Sequence, residues 1–277
     1  MTHKDSAAGS IRAVERAFTL LDVLARSDRP LTLTELSARA DMSKATVIRF
    51  LATLEQWSLT QKVHMGYQLN VGILPLAYAF LMNDSLSRAA LPVLQQVALT
   101  TQETVTLYVR AGMERVVVQR VEGRTPFAHT LPVGQRLPLL LGAPGLVLAA
   151  SMQAADRYAL LEHHPEVMLA TGQRLDRAAL EARLDEVARD GYAISRSERI
   201  QQIFAVAAPV RTADHSVKAA ISITAHEKRI SPEQDDTLVE EVMRAARAIG
   251  EASGAWSTGH QASPEPAAAR RSRRRQD

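Results

Sequence analysis

The chain has no cysteine among its 277 residues. That excludes disulfides and every metal or redox site built on a thiolate, and it suits a reducing compartment. Long hydrophobic runs are also missing. The most apolar stretches, 71–82 and 137–150, are too short or too broken by glycine and proline to supply the ~20 apolar residues of a membrane-spanning helix. Residues 1–9 are polar, with Lys4 and Asp5, and do not read as a targeting segment. No membrane partner is expected, and the expected location is the cytoplasm. A strong excess of one charge is absent as well: 33 basic residues face 30 acidic ones, a net charge of +3. The tail alone accounts for it, since Arg270, Arg271, Arg273, Arg274 and Arg275 face only Glu265 and Asp277. Any nucleic-acid affinity of the remainder must come from local placement of cations. The tail reads as a disordered, solvated terminus whose arginines would add only salt-sensitive, nonspecific DNA contacts.

Catalytic signatures are lacking too. No Gly-x-Ser-x-Gly elbow or phosphate-binding glycine loop occurs, and the His163-His164 pair has no second ligand set at metal spacing. The adjacent histidines would point to different sides of a helix or strand and read as surface residues. The expectation is a protein that is not an enzyme and carries no cofactor or metal; a hydrolase acting on a small acid is the weaker alternative.

What is present is a helix-turn-helix pattern over 31–54. Thr32 and Glu35 have capping-box spacing, which starts a helix that ends near Ala40. Asp41 and Met42 form the turn, and Ser43 is the N-cap of a second helix over Lys44–Gln56. Within that helix Val47, Phe50, Leu51 and Leu54 make an inward stripe, leaving Ala45, Ile48, Arg49 and Ala52 outward. A small outward face with donors from Ser43, Lys44, Thr46 and Arg49 suits the major groove. A capped helical hairpin with no DNA partner is the competing reading. The surroundings favour DNA. Upstream, Val14, Ala17, Phe18, Leu21 and Leu24 form an amphipathic helix to cover the pair, with Arg12 and Arg16 available to phosphate. Downstream, 59–69 reads as a hairpin wing with Lys62 and His64 near its tip.

The order of residues resembles the IclR-type bacterial transcriptional regulators. The resemblance is carried by Ser10-Ile11-Arg12-Ala13-Val14-Glu15-Arg16-Ala17, Leu33-Thr34-Glu35-Leu36, Lys44-Ala45-Thr46-Val47-Ile48-Arg49 and Tyr67-Gln68-Leu69. It resumes at Val133-Gly134-Gln135-Arg136-Leu137-Pro138-Leu139, Gly191-Tyr192-Ala193-Ile194-Ser195 and Ala205-Val206-Ala207-Ala208-Pro209-Val210, and spans roughly 10–252. Three departures stand out. Asp41 occupies a usual glycine of the turn, Gln202 another glycine before the Ala205 strand, and 140–146 replaces a histidine, small polar residue and Gly-Lys. The last implies a rebuilt effector pocket.

Periodicity places four parts: a winged helix-turn-helix at 10–70, a linker helix at 71–90, a second domain at 91–253 and the Arg-rich tail at 254–277. Within the linker, Ile73, Leu76, Ala77, Phe80 and Leu81 keep helical spacing, 84–87 interrupt, and a second amphipathic run starts at Ala89, so the segment reads as a helix pair that pairs across a dimer or packs on its own domain. In the second domain 103–110, 115–122, 203–211 and 217–224 read as strands with another near Tyr192, while 145–151, 176–190 and 232–253 read as helices. That pattern argues for an α+β domain, an antiparallel sheet packed by helices, of the GAF type that the resemblance also implies. The resemblance further implies an effector pocket lined by Pro126, His129, Leu137, Ala143, Pro144, Ser195, Ile203, Ala205, Ser222 and Thr224. This lining is mostly apolar with a few donors, which suits a small organic or aromatic acid. For Ser222 and Thr224 an ordinary polar sheet face is the competing reading, and for His129 a structural hydrogen bond. The functional expectation is a ligand-responsive regulator of small-molecule metabolism, by repression more than activation. It would be a homodimer or homotetramer, because two half-sites need two recognition helices at fixed spacing. An architectural DNA binder without a ligand is the alternative.

Overall fold

Leucines at helical spacing build the first unit. In this computed structural model, which describes residues 11–124 and 131–260, the chain divides into two units between Asn83 and Asp84. Unit one contains α1 (Arg12–Ala25), α2 (Leu33–Ala40), α3 (Lys44–Gln56), the hairpin of β1 (Thr60–Val63) and β2 (Gly66–Leu69), and α4 (Ile73–Asn83). Its core is Leu20, Leu24, Leu31, Leu36, Val47, Leu51 and Leu54, with Phe50, Leu59, Tyr67 and Leu69 packed around them. Each fully buried leucine contributes ~1.5–3 kcal/mol over an exposed one, so this small set carries most of the unit's cohesion.

The inward stripe expected for α1 is only half right. Leu24 is buried and Ala17 and Leu21 are half-buried, but Val14 and Phe18 are 49% and 63% exposed, and Leu20 takes the central place. The 14-residue α1 is nearly twice the length of the 8-residue α2, and burial is confined to its second half; the first turns extend beyond the cover this unit supplies. The wing is held by more than its own ladder. Leu31 N–H donates to the Tyr67 carbonyl at 2.9 Å and Tyr67 N–H to the Leu31 carbonyl at 2.8 Å, making Leu31, just before the N-cap of α2, a third strand position.

Unit two is one antiparallel sheet covered on both faces. The six strands lie in the order β5 (Arg136–Pro138), β4 (Glu114–Val121), β3 (Thr104–Ala111), β10 (Val217–His226), β9 (Ile203–Arg211) and β8 (Ala193–Arg196). Helices α5 (Ser85–Thr101) and α9 (Asp235–His260) cover one face, through Leu94, Val97, Val242, Ala245 and Ile249 against Val105, Leu107, Phe204, Val206, Ile221 and Ile223. Helices α6 (Ala143–Ala150), α7 (Ala154–His163) and α8 (Arg177–Asp190) cover the other, through Leu146, Val147, Leu160, Leu161, Leu180 and Leu184. A two-stranded ribbon of β6 (Glu166–Met168) and β7 (Arg174–Asp176) precedes α8. Alternation along the strands makes the two faces unlike. Toward α5 and α9 the central strands present Phe204, Val206, Ile221 and Ile223; toward α6 they present Ala205, Ala207, Ala220, Ser222 and Thr224. The large side chains anchor one side, and the small and hydroxylated ones are left for the other.

The linker region holds two helices, α4 and α5, separated at Asp84, whose side chain caps α5 by accepting from Leu86 N–H at 3.2 Å. Among the described residues no helix is long and apolar enough to cross a membrane.

Gly66 is the tightest point of the wing. Its φ is +141°, and a Cβ there would be driven into the Leu31 carbonyl. Gly66→Ala should therefore destabilise the first unit by about 2–3 kcal/mol through backbone strain and lost pairing with Leu31, read as a lower urea midpoint at unchanged slope. An unchanged midpoint would show that the wing pairing is dispensable.

Candidate functional site

The recognition surface is assembled by caps. Thr32 Oγ1 accepts from Glu35 N–H at 3.3 Å while Glu35 Oε2 accepts from Thr32 N–H at 2.8 Å, so the capping box of α2 is complete. Arg29 braces the same carboxylate at 2.5 Å. At the other end Asp41 closes the helix in the left-handed region with φ 51°, where the short polar side chain is tolerated best after glycine. Ser43 Oγ accepts from Thr46 N–H at 3.3 Å and starts α3. Val47, Leu51 and Leu54 then turn inward, with Phe50 half-buried, which leaves Lys44, Ala45, Ile48 and Arg49 on one exposed face. Thr46 is half-buried and exchanges a hydrogen bond with Ser43 Oγ at 2.9 Å, so its hydroxyl serves the cap. In the wing, Lys62 is exposed with its Nζ 6.0 Å from the centre of the Tyr67 ring, and His64 sits exposed in the two-residue turn. Arg12 and Arg16 are exposed on α1.

The effector-site residues fall as follows. Pro126 and His129 lie outside the described residues. Leu137 is buried in β5, and Ala143 and Pro144 are buried in the first turn of α6. Ser195 is buried, and its hydroxyl accepts from Ala143 N–H at 3.0 Å. Sheet register sets Ser195 opposite Ala205, Ala205 opposite Thr224, and Ser222 between Ala207 and Thr106. Ile203, two residues before Ala205, is on the same face at the strand's start. Ser222 is fully buried and lies 3.2 Å, hydroxyl to hydroxyl, from the half-buried Thr224. All of these described positions thus lie on the α6 side of the sheet. Two surface cavities of ≈ 410 and ≈ 750 Å³ open elsewhere, at the Arg211–Val217 end of the strands, and none of these residues lines them.

Several residues of this face were not anticipated. Arg115 of β4 is 2% exposed, and its guanidinium lies 5.4 Å from the Tyr108 ring centre. Glu198 is buried; its carboxylate accepts from Gly142 N–H at 3.1 Å and pairs with Arg183 of α8, fixing the start of α6. Thr106 Oγ1 is buried without a hydrogen-bond partner among the described residues. Burial pushes the Arg115 guanidinium from 12.5 down to about 10, with the nearby Arg199 adding to the effect, and burial also lowers Arg199. The available signal was an arginine at an inward position of an otherwise valine-rich strand, where a charge is rarely found unpaired. Gln202 has φ 64°, which explains why glycine is usual there; its carbonyl accepts from Glu227 N–H at 2.8 Å and its side chain meets His226 at 3.1 Å.

Residues 13–64 match the IclR helix-turn-helix domain, and residues 78–251 match the C-terminal domain of the bacterial transcriptional regulator IclR. The chain belongs to the IclR family. Its parts are accordingly a DNA-binding helix-turn-helix and an IclR effector-binding domain, those of a transcriptional regulator and not of an enzyme. Among IclR relatives, the HTH-type transcriptional regulator BhcR of Paracoccus denitrificans is 30% identical over 252 residues, 87% of each chain. The crystal structure of an IclR transcriptional regulator from Alicyclobacillus acidocaldarius matches with a TM-score of 0.75 at 27% identity, covering 88% of this chain and 100% of that one. An IclR homolog from Microbacterium hydrocarbonoxydans, crystallised with 4-hydroxybenzoate, shares the fold at a TM-score of 0.72 and 22% identity, with 88% and 99% covered.

The Glu35 brace gives the helix-turn-helix a pH limit. Arg29 first, then the Thr32 N–H and hydroxyl, hold the Glu35 carboxyl at about 2 instead of 4.5. The folded state therefore favours the carboxylate, and this contribution is complete above pH 4.5 and disappears as pH falls toward 2. Glu35→Gln should lower the thermal midpoint at pH 7 and shrink its fall across that window, measured by circular dichroism. Parallel curves for the two proteins would remove Glu35 from the acid limb.

Proposed function

We propose that the protein is a cytoplasmic, effector-responsive repressor of small-molecule metabolism genes. Its α3 reads an operator, and its second unit binds a small organic or aromatic acid on the α6 side of the sheet. The observation that carries this is the exposed face of α3, where Lys44, Ala45 and Arg49 stand clear of the core while the caps fix the helix start. Ser43, Thr46, Lys62 and His64 are the flanking contacts, and phosphate is the natural partner of Lys62 at the wing. For the effector, support comes from the hydroxyl row Thr106, Ser222 and Thr224 beside Ala205, Ala207 and Ala220, which combines apolar walls with a few donors. The 4-hydroxybenzoate held by the Microbacterium homolog is an aromatic acid of this kind. Ligand binding needs to change operator affinity by only ~1–3 kcal/mol to act as a switch.

A second copy of the chain is the proposed partner. Helix α4, Ile73-Leu74-Pro75-Leu76-Ala77-Tyr78-Ala79-Phe80-Leu81-Met82-Asn83, is apolar on every side and has no buried residue. With Ile11, Val14 and Phe18 of α1 it leaves unit one an apolar surface suited to burial against its own copy, which would also hold two recognition helices at fixed spacing. Light scattering at monomer mass alone would overturn the dimer.

The test is retention of fragmented genomic DNA near physiological salt. A few palindromic sites are expected, and uniform, salt-sensitive retention would instead indicate an architectural binder. On a retained site Arg49→Ala should cost about 1–3 kcal/mol of specific affinity with the fold intact. Ser222→Ala combined with Thr224→Ala should leave operator binding unchanged and blunt release by an effector acid found in that screen. Full operator affinity in the first variant, or full release in the second, would take those residues out of their sites.

A further inference from the structure

We propose that Arg115, with Arg199 beside it, is the anion anchor of the effector pocket, and that the effector is a small dianionic organic acid. This rests on the effector-binding reading above and narrows it. A guanidinium offers five donors and is never usefully neutral. Arg115 is nevertheless 2% exposed, and among the described residues its one hydrogen bond runs from Nη1 to the Pro138 carbonyl, while Nε is buried without a partner. Stacking near Tyr108 steadies the ring of charge without neutralising it. The nearest acid does not serve. Glu198 is already taken, by Arg183 on Oε1 and by Gly142 N–H on Oε2. Arg120, on the same face opposite Thr106, has Glu122 at 3.8 Å. Neither Arg115 nor Arg199 has an ion pair among the described residues, and Arg199 lies near enough to disfavour the charge on Arg115, so two unmatched positive charges neighbour each other here. A buried cation with no counter-ion is among the costliest groups a fold can keep, and it persists where something else supplies the anion.

The surrounding geometry suits a carboxylate or phosphate placed there. Gly142 has φ 79°, and a methyl at that position would stand 3.6 Å from Arg115 Nη2 and 3.9 Å from Ser195 Oγ. The first turn of α6, Ser195 and the guanidinium fork are therefore immediate neighbours. Thr106, with its unpartnered hydroxyl, is two residues from Tyr108 on the same face of β3. A planar fork matches two oxygens at once, and the second cation asks for a second anionic group on the same molecule.

The experiment uses the full chain and short linear dicarboxylates of two to six carbons, the half-amide of each, the diamide, and a phosphate ester of a short hydroxy acid. Thermal midpoint, calorimetric affinity and release of a retained operator fragment are measured for each. At least one dicarboxylate should bind ten-fold or more tightly than its half-amide, or the phosphate ester ten-fold or more tightly than every half-amide, and which of the two does so identifies the anionic group. Arg115→Met should abolish that binding while leaving the ligand-free midpoint equal to or above that of the unmodified protein, because an unmatched buried charge has been replaced by an apolar side chain of similar length. A purely structural Arg115 would give the reverse, a lowered midpoint with ligand response retained. Should Arg115→Met not fold, Arg199→Gln, at a half-buried position, is expected to bring the dianion preference close to one. Equal binding of half-amide and dianion, no binding by any dianion, or an unchanged preference in both variants overturns the proposal. Operator release by a neutral or monoanionic compound in wild type and Arg115→Met alike would overturn it while the effector reading stands. Operator affinity insensitive to every compound would overturn both.

Discussion

Pairing of β3 with β10 is the constraint on which the second unit depends. It sets Thr106 against Ser222 and Thr104 against Thr224, joining segments that lie at opposite ends of this unit's sequence. Everything between, from β4 through β9, must then be accommodated on the edges and one face of the resulting sheet. Because pairing fixes parity, a slip of β3 by one residue against β10 would exchange Val105 and Leu107 for Thr104 and Thr106 in the α5–α9 core. The register is thus enforced by hydrophobic burial on one face, and the polar row on the other follows from it.

That polar row would be unstable as bare sheet surface inside a folded unit. It is covered by α6, whose start is held through hydrogen bonds from Gly142 N–H to Glu198 and from Ala143 N–H to Ser195. The helix has no side-chain N-cap of its own, so two residues from the β8–β9 region do what a local serine or aspartate does for α3 and α8. Arg183 of α8 completes the arrangement by matching Glu198. The α6 side is consequently a set of mutually positioned backbone and side-chain dipoles in which Arg115 has no partner acid among the described residues.

The first unit follows a different logic, in which local signals decide most of the outcome. Thr32 with Glu35, Asp41 and Ser43 each satisfy backbone groups within four residues, and so α2 and α3 begin and end where those residues stand. The N-terminal half of α1 is where local periodicity failed. Val14 and Phe18 have helical spacing with Leu21, but spacing defines a face and says nothing of what covers it. Short elements such as α7, β5 and the β6–β7 ribbon were not legible, since three-residue strands and a helix with two fully buried leucines carry too little periodicity to separate from loop.

The sequence by itself determined the helix-turn-helix, the strand alternation of β3, β4, β9 and β10, the family and the balance of charge, because each depends on residues close together in the chain or on residue order. Tertiary structure alone decided which face of the sheet is buried under which helices. It also decided that Leu20 and not Phe18 reaches the first core, and that Glu198 is consumed by Arg183 and Gly142. Above all it decided that Arg115 is enclosed without an acid among the described residues. Burial and charge pairing are sums over neighbours from distant segments, and no local pattern encodes them.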